Sequence, residues 1–262
     1  RRRPHDLLVP EMPAVTVKRI GHKGAARIAP GNTLASFDAA RAAGVDMIEF
    51  DVLPALGPDG RPDPVDGRLL LAHDYVEARA GAPLDLERGL AHLATPAFAG
   101  IELDVDVKLP GYELRVVDAL RRHGLLERSL ISSTYPESLA RIRAHEPRVR
   151  LGWSVPRARR DYTASPLFRL PAYAALHALR RVLPARAAQA VRERRCDALM
   201  AHWRLVTPRL VAAVAEAGGE LYAWTVDEAP RIHALAALGV TGIVTNDPRL
   251  FALPATAPSA SA

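Results

Sequence analysis

The chain predicts a (β/α)8 barrel, and three observations predict it. Short β-like runs alternate with Ala/Leu-rich helical stretches along most of the sequence. There are eight such runs, the number that closes a barrel of this class. The 262 residues, 49% hydrophobic and 24% charged, suffice for one large barrel with a substantial core. A doubly wound open sheet is the structural competitor. No Gly-x-Gly-x-x-Gly follows the first run, which weakens a dinucleotide-binding version of it.

Taken in order, the runs fall at 17–22, 47–53, 102–108, 129–134, 150–155, 198–203, 220–226 and 242–245. A helix is predicted over 33–43 with Asn32 as its N-cap. Helices over 115–123 and 207–217 stop at Gly124 and at Gly218-Gly219. A helix over 230–238 begins with Pro230, which the first turn tolerates. A ninth run, 68–73, breaks the alternation because only a turn-rich stretch with Asp59-Gly60 and Asp66-Gly67 precedes it. It reads as a hairpin arm over the barrel mouth, within an insertion at about 54–75. Residues 157–195 carry ten arginines against Asp161 and Glu193 alone. They read either as a barrel helix with a solvated basic face or as an amphipathic cover for an anionic membrane or lipid. The expected organisation is one domain over 1–253 and a disordered Pro/Ala/Ser-rich tail over 254–262.

Cys196 is the single cysteine, which excludes an intramolecular disulfide and a cysteine-built zinc cage. The net charge of +6 favours anionic ligands, and equally describes an Arg-rich solvated exterior. No apolar stretch has the length of a membrane span, and no apolar core follows the basic start Arg1-Arg2-Arg3-Pro4. A cytoplasmic location is expected, with a removed export signal as the alternative. Aromatics make up 5% and no zinc-finger spacing or aromatic RNA-binding motif is present, so a nucleic-acid partner is not expected.

The chemistry lies at the ends of the runs. Glu49 and Asp51 are two apart, so a strand aims both at one face. Two neighbouring buried carboxylates need a cation or hydrogen bonds as compensation. From 102 to 108, charged and apolar residues alternate strictly. Either this is an edge strand with wet charges, or Glu102, Asp104, Asp106 and Lys108 face the barrel interior; the matching Glu49/Asp51 pair favours the interior. Glu49, Asp51 and Asp106 could then meet at one ion, and an all-carboxylate set suits Mg²⁺ or Ca²⁺ better than zinc. His22 and His73 end two further runs and would flank that ion, one accepting and one donating a proton. His202 is ambiguous, with a structural or rim role expected.

These residues carry a resemblance. The chain reads His22-Lys23-Gly24, Pro30-Gly31-Asn32-Thr33, Ile48-Glu49-Phe50-Asp51-Val52, Asp66-Gly67 and His73-Asp74. Farther on it reads Asp106-Val107-Lys108, Ser132-Ser133, Trp224-Thr225-Val226 and Thr245-Asn246-Asp247-Pro248. In this order, from about Arg19 to Pro248, it resembles the glycerophosphodiester phosphodiesterases. The resemblance implies a TIM barrel with a small insertion that cleaves a glycerophosphodiester to glycerol 3-phosphate and an alcohol. Glu49, Asp51 and Asp106 would ligate a divalent metal, and His22 and His73 would be general base and general acid in an unassigned order. Lys108 and Lys23 would hold phosphate oxygens, and Trp224 would pack on the glycerol carbons. Three positions depart from the family pattern: Lys23 stands for Arg, Gly31 for Glu and Asp106 for Glu. A lysophospholipase D-like or cyclising enzyme acting on lipids, and a barrel that binds phosphodiesters with weakened catalysis, are the alternatives.

Overall fold

The structure is a computed structural model that describes residues 17–157 and 169–254. Ten strands form one sheet. Eight of them are parallel and close on themselves: β1 (Lys18–Gly21), β2 (Met47–Pro54), β5 (Glu102–Val107), β6 (Ser129–Ser133), β7 (Arg150–Val155), β8 (Ala198–His202), β9 (Glu220–Trp224) and β10 (Gly242–Thr245). β1 pairs with both β10 and β2, and that double pairing closes the barrel. Seven of the eight predicted runs hold one of these strands entirely, and β2 runs one residue past its predicted end to Pro54. The run expected over 198–203 ends at His202, where Trp203 opens a 3-10 turn.

The helices are α1 (Leu34–Ala42), α2 (Tyr75–Ala80), α3 (Leu86–Leu93), α4 (Glu113–Arg122), α5 (Pro136–His145), α6 (Arg169–Arg192), α7 (Pro208–Glu216) and α8 (Ala229–Ala237). Leu, Val and Ala from these helices and from the outward faces of the strands make the main core. Gly124 and Gly218 follow α4 and α7 with φ of 68° and 81°, the left-handed conformation that a glycine stop supplies. One cap differs from expectation. Thr33, not Asn32, caps α1, in a reciprocal box with Ser36. Asn32 is itself left-handed at φ 57° and turns its amide toward the barrel mouth instead.

The insertion extends farther than 54–75. The C-terminal overhang of β2 pairs antiparallel with β3 (Leu69–Leu71), which pairs with β4 (Leu84–Asp85) before α3 begins. Arg115 pins the turn-rich part to α4 through the carbonyls of Pro64 and Gly67, at 2.9 and 2.8 Å. The C-terminal half of α6 packs Leu183 and Ala187 on the sheet, as a barrel helix does. Of the basic stretch expected as a cover, residues 158–168 lie outside the described residues, as do 1–16 and 255–262 of the termini. Among the described residues no helix is long and apolar enough to cross a membrane.

Inside the barrel, side chains stack in layers set by the period of two. At the N-terminal end Lys18, Glu102, Arg150 and Glu220 form one ion-paired group. Above it lies an apolar layer of Ile20, Met47, Leu130, Ala198, Met200, Tyr222 and Val244. At the C-terminal end the bore turns polar again, and a cavity of about 230 Å³ opens there.

Candidate active site

The parallel register of β2 and β5 sets Glu49 opposite Asp104 and Asp51 opposite Asp106. Each pair shares a level of the bore, and the alternation of Cβ directions aims all four carboxylates inward. One oxygen each from Glu49, Asp51 and Asp106 lies within 4.8 Å of the other two. The cavity is lined by these groups with His22, His73, Asp104, Lys108, Ser132 and Trp224 among others. Of the eight residues singled out from sequence, seven therefore share one cavity. Lys23 stands beside it rather than in its lining.

The electrostatics are those of an under-neutralised acidic cluster. Burial, reinforced by Asp51, Asp104 and Asp106, pushes Glu49 well above the usual carboxylate range. Burial likewise raises Asp104 to about 7; the Ser132 hydroxyl, donating at 2.6 Å, opposes it and the charges of Asp106 and Asp51 add to it. Burial acts upward on Asp51 too, but Lys108, His73, Lys23 and His22 outweigh it and hold Asp51 below its ordinary value. Lys108 is the internal counter-charge, with its ammonium 3.0 Å from Asp51 and 2.8 Å from Asp106. Burial alone would lower Lys108; those two carboxylates more than reverse it. One lysine cannot balance four inward carboxylates. The set of hard oxygens is chemically suited to a divalent cation in competition with that lysine.

The two histidines differ in support. His22 Nδ1 lies 2.6 Å from Asn246 Oδ1, and the Asn246 amide donates to Asp227 at 2.6 Å. With its NH2 committed to a carboxylate, Asn246 presents only an acceptor, so the His22 proton belongs on Nδ1. Nε2 then carries the lone pair and lies 3.8 Å from Glu49 Oε2. Burial lowers the His22 pKa, opposed by Asp51 and the Asn246 bond and aided by Lys23 and Lys108. His73 is the exposed partner, 47% accessible, with Nδ1 3.3 Å from Asp74. Asp74 also caps α2, accepting from the amides of Val76 and Glu77.

Four supporting residues escaped the sequence reading. Asn32 clamps Asp51 twice: its amide donates to Oδ2 at 3.0 Å and its carbonyl accepts from the Asp51 backbone at 3.1 Å. Asn246, Asp227 and Glu77 are the others. Asn32 and Asn246 stand inside quoted motifs, yet a motif gives no direction for an amide. Lys23 sits at φ 51°, donates its backbone N–H to Glu49 at 2.8 Å, and places its ammonium 2.9 Å from Glu77 and 3.8 Å from Asp51. His202 packs edge-on against Trp224, ring centroids 5.2 Å apart, and stacks on Trp203, as a rim residue would. Trp224 is partly buried, and its indole N–H has no hydrogen-bond partner among the described residues.

Comparison with known proteins places this cavity among relatives. A glycerophosphodiester phosphodiesterase of Caldanaerobacter subterraneus is 25% identical over 87% of this chain and 93% of its own length. A structure of a putative glycerophosphoryl diester phosphodiesterase from Silicibacter pomeroyi superposes with a TM-score of 0.67 at 21% identity, covering 90% of this chain and 91% of that one. An Oleispira antarctica phosphodiesterase in complex with the product sn-glycerol-3-phosphate superposes at 0.60 and 20% identity, over 89% and 94% of the two chains. The family model for glycerophosphoryl diester phosphodiesterases matches residues 22–55 and 100–250, which leaves out the segment bearing β3, α2, His73 and Glu77. With every barrel strand from β2 to β10 inside those matched spans, the chain belongs to the glycerophosphoryl diester phosphodiesterase family.

Proposed function

We propose that the protein hydrolyses glycerophosphodiesters to glycerol 3-phosphate and an alcohol, with Glu49, Asp51 and Asp106 holding a divalent ion, Mg²⁺ or Ca²⁺. The observation that carries the reading is the meeting of those three carboxylates in a cavity that also holds two histidines and a lysine. The relatives' names and the product-bound structure support the substrate class. Such an ion, when bound, would offset the negative charge that builds on the phosphoryl oxygens.

The remaining work falls to the chain. Lys108 is placed to hold a phosphate oxygen while still balancing Asp51 and Asp106. His22 acts as general base through Nε2, since Asn246 keeps the proton on Nδ1 and burial favours the neutral ring. It takes a proton from a water or a neighbouring substrate hydroxyl. His73, at the open side, gives a proton to the leaving alkoxide. Proton transfer of this kind contributes about 10²–10⁴-fold. Trp224 offers an apolar wall for the glycerol carbons, and Lys23 stiffens the wall behind Glu49 and Asp51.

Release of glycerol 3-phosphate from glycerophosphocholine tests the reading. Turnover is expected with Mg²⁺ or Ca²⁺, with loss on chelation and in His22→Ala and His73→Ala; undiminished turnover in both variants would overturn the mechanism. A lipid-like alcohol is the second reading. Exposed Ile28, Val65 and Val76 favour it, since all three stand on segments leaving the C-terminal ends of β1 and β2. Faster turnover of lysophosphatidylcholine than of glycerophosphocholine would select it.

A further inference from the structure

Glu77 joins the β1–α1 connection to its own segment, which lies about 50 residues farther along the chain. Its Oε2 accepts from the Lys23 ammonium at 2.9 Å and from the His73 backbone N–H at 3.3 Å. Its Oε1 accepts from the Asn32 amide at 3.3 Å. Those partners belong to the turn after β1, the turn before α1 and the loop carrying His73. Two are already committed to the carboxylate cluster: Asn32 clamps Asp51, and Lys23 donates to Glu49. Among the described residues, Glu77 is the side chain that spans from them to the backbone of His73.

The packing of Lys23 against Gly31 bears on this bridge. A Cβ on Gly31 would stand 2.9 Å from Lys23 Cβ and 3.0 Å from its Cδ. The Lys23 side chain thus occupies the space that a side chain at position 31 would claim. Where the resembled pattern has a glutamate, the chain has a glycine, and the Lys23 ammonium pairs with Glu77. The carboxylate it reaches lies in the 56–99 segment that the family model leaves unmatched. Tyr75 anchors the same segment, its hydroxyl donating to the Pro54 carbonyl at 2.8 Å, so α2 is held at the end of β2.

We propose that Glu77 is a positioning residue that holds the His73 loop against the catalytic wall through Lys23 and Asn32, supplying from the insertion the carboxylate that Gly31 lacks. The proposal rests on the reading of His73 as proton donor. Glu77 touches no reacting atom; it limits the distance between His73 and the cluster, and its loss leaves a longer, looser approach for the proton. Lys23 is the other half of the latch, and its substitution has the same consequence by a shared path.

The test uses the full chain. Glu77→Ala is expected to lower kcat for glycerophosphocholine by about 10–100-fold, the scale of losing a group that orients a ligand, with KM within about twofold. Glu77→Gln, which keeps acceptors but not charge, recovers part of the loss. Combining Glu77→Ala with Lys23→Ala adds little to Lys23→Ala alone. Arg79→Ala, on the same helix with its side chain exposed, leaves kcat unchanged. Amide hydrogen exchange on the metal-free protein gives a second readout: the His73 N–H exchanges faster in Glu77→Ala and not in Arg79→Ala. Wild-type turnover with unchanged kcat in Glu77→Ala and Glu77→Gln would overturn the latch and leave the function standing. If the wild type does not turn over, the function falls, and unchanged His73 exchange in Glu77→Ala would overturn the latch separately.

Discussion

The two ends of the barrel are built from the same residue types and do opposite things with them. At the N-terminal end, Lys18 and Arg150 meet Glu102 and Glu220 at 2.6–2.7 Å, two cations for two carboxylates, and Arg150 also donates to the Tyr222 hydroxyl at 3.1 Å. Burial would raise Glu102, but hydrogen bonds from Lys18 and Arg150 hold it below its ordinary value. At the C-terminal end four carboxylates face in with Lys108 as their cation in the lining, and burial drives Glu49 and Asp104 upward. Balanced charge in a bore is a plug, and unbalanced charge is an unfinished site. The imbalance marks the end where chemistry belongs, independently of any family likeness.

The largest effect should come from the unbalanced end. Asp51→Asn is expected to lower kcat/KM by at least about 10²–10³-fold, the scale of losing one preorganised electrostatic group. Metal-free melting temperature should hold or fall slightly, because Lys108 and Asn32 lose a partner while the cluster loses a charge. The mirror experiment at the other end is Arg150→Leu. It should leave kcat within about twofold yet cost about 1–3 kcal/mol in denaturant melts, a figure discounted because the group is partly exposed. If Arg150→Leu abolished turnover at full stability, the division of labour would be wrong.

The pH dependence separates the ends by sign. Asp104 has a raised folded pKa, about 7, so the folded state holds a proton that the unfolded state has lost. Between roughly pH 4 and 7 it therefore makes stability fall as pH rises. Glu102 has a lowered folded pKa, so its contribution is present above the unfolded value, near 4.5, and is lost as pH falls through the folded one. In metal-free melts, Asp104→Asn should flatten the loss between about pH 4 and 7, and Glu102→Gln should flatten the loss below about pH 4.5. Slopes of the same sign in both variants would erase the distinction. The smallest effect should be Lys18→Met, about 0–1 kcal/mol, since Arg150 still serves Glu102.

Much of this contrast was legible in the chain. The strict alternation of 102–108 and the Glu49/Asp51 spacing sent the correct side chains inward, because a strand's period of two leaves little choice. Strand direction already sends Asp106 toward the mouth and Glu102 toward the other end, and the register fixes what each one faces: Asp106 lies opposite Asp51, and Glu102 pairs with Lys18 and Arg150. The supporting amides were not legible. Asn32 looked like a helix cap because asparagine caps helices, but Thr33 took that role, and the left-handed φ of Asn32 let its amide clamp Asp51. The second half of the insertion was missed for a different reason. In α3 the buried residues Leu86, Gly89, Leu90 and Leu93 follow helical spacing, but the stretch is short and lies just past a region expected to be a hairpin.

The apolar layer between the two ends has a consequence for traffic. Ile20, Met47, Leu130, Ala198 and Tyr222 are fully buried there, and Met200 and Val244 nearly so. The bore is therefore a cup with a floor. A diester entering it goes in headfirst and both halves must back out through the same doorway, beside the His73 loop. The half of the molecule that stays outside is never gauged by the width of the cup, so discrimination between alcohols falls to the segments around the rim.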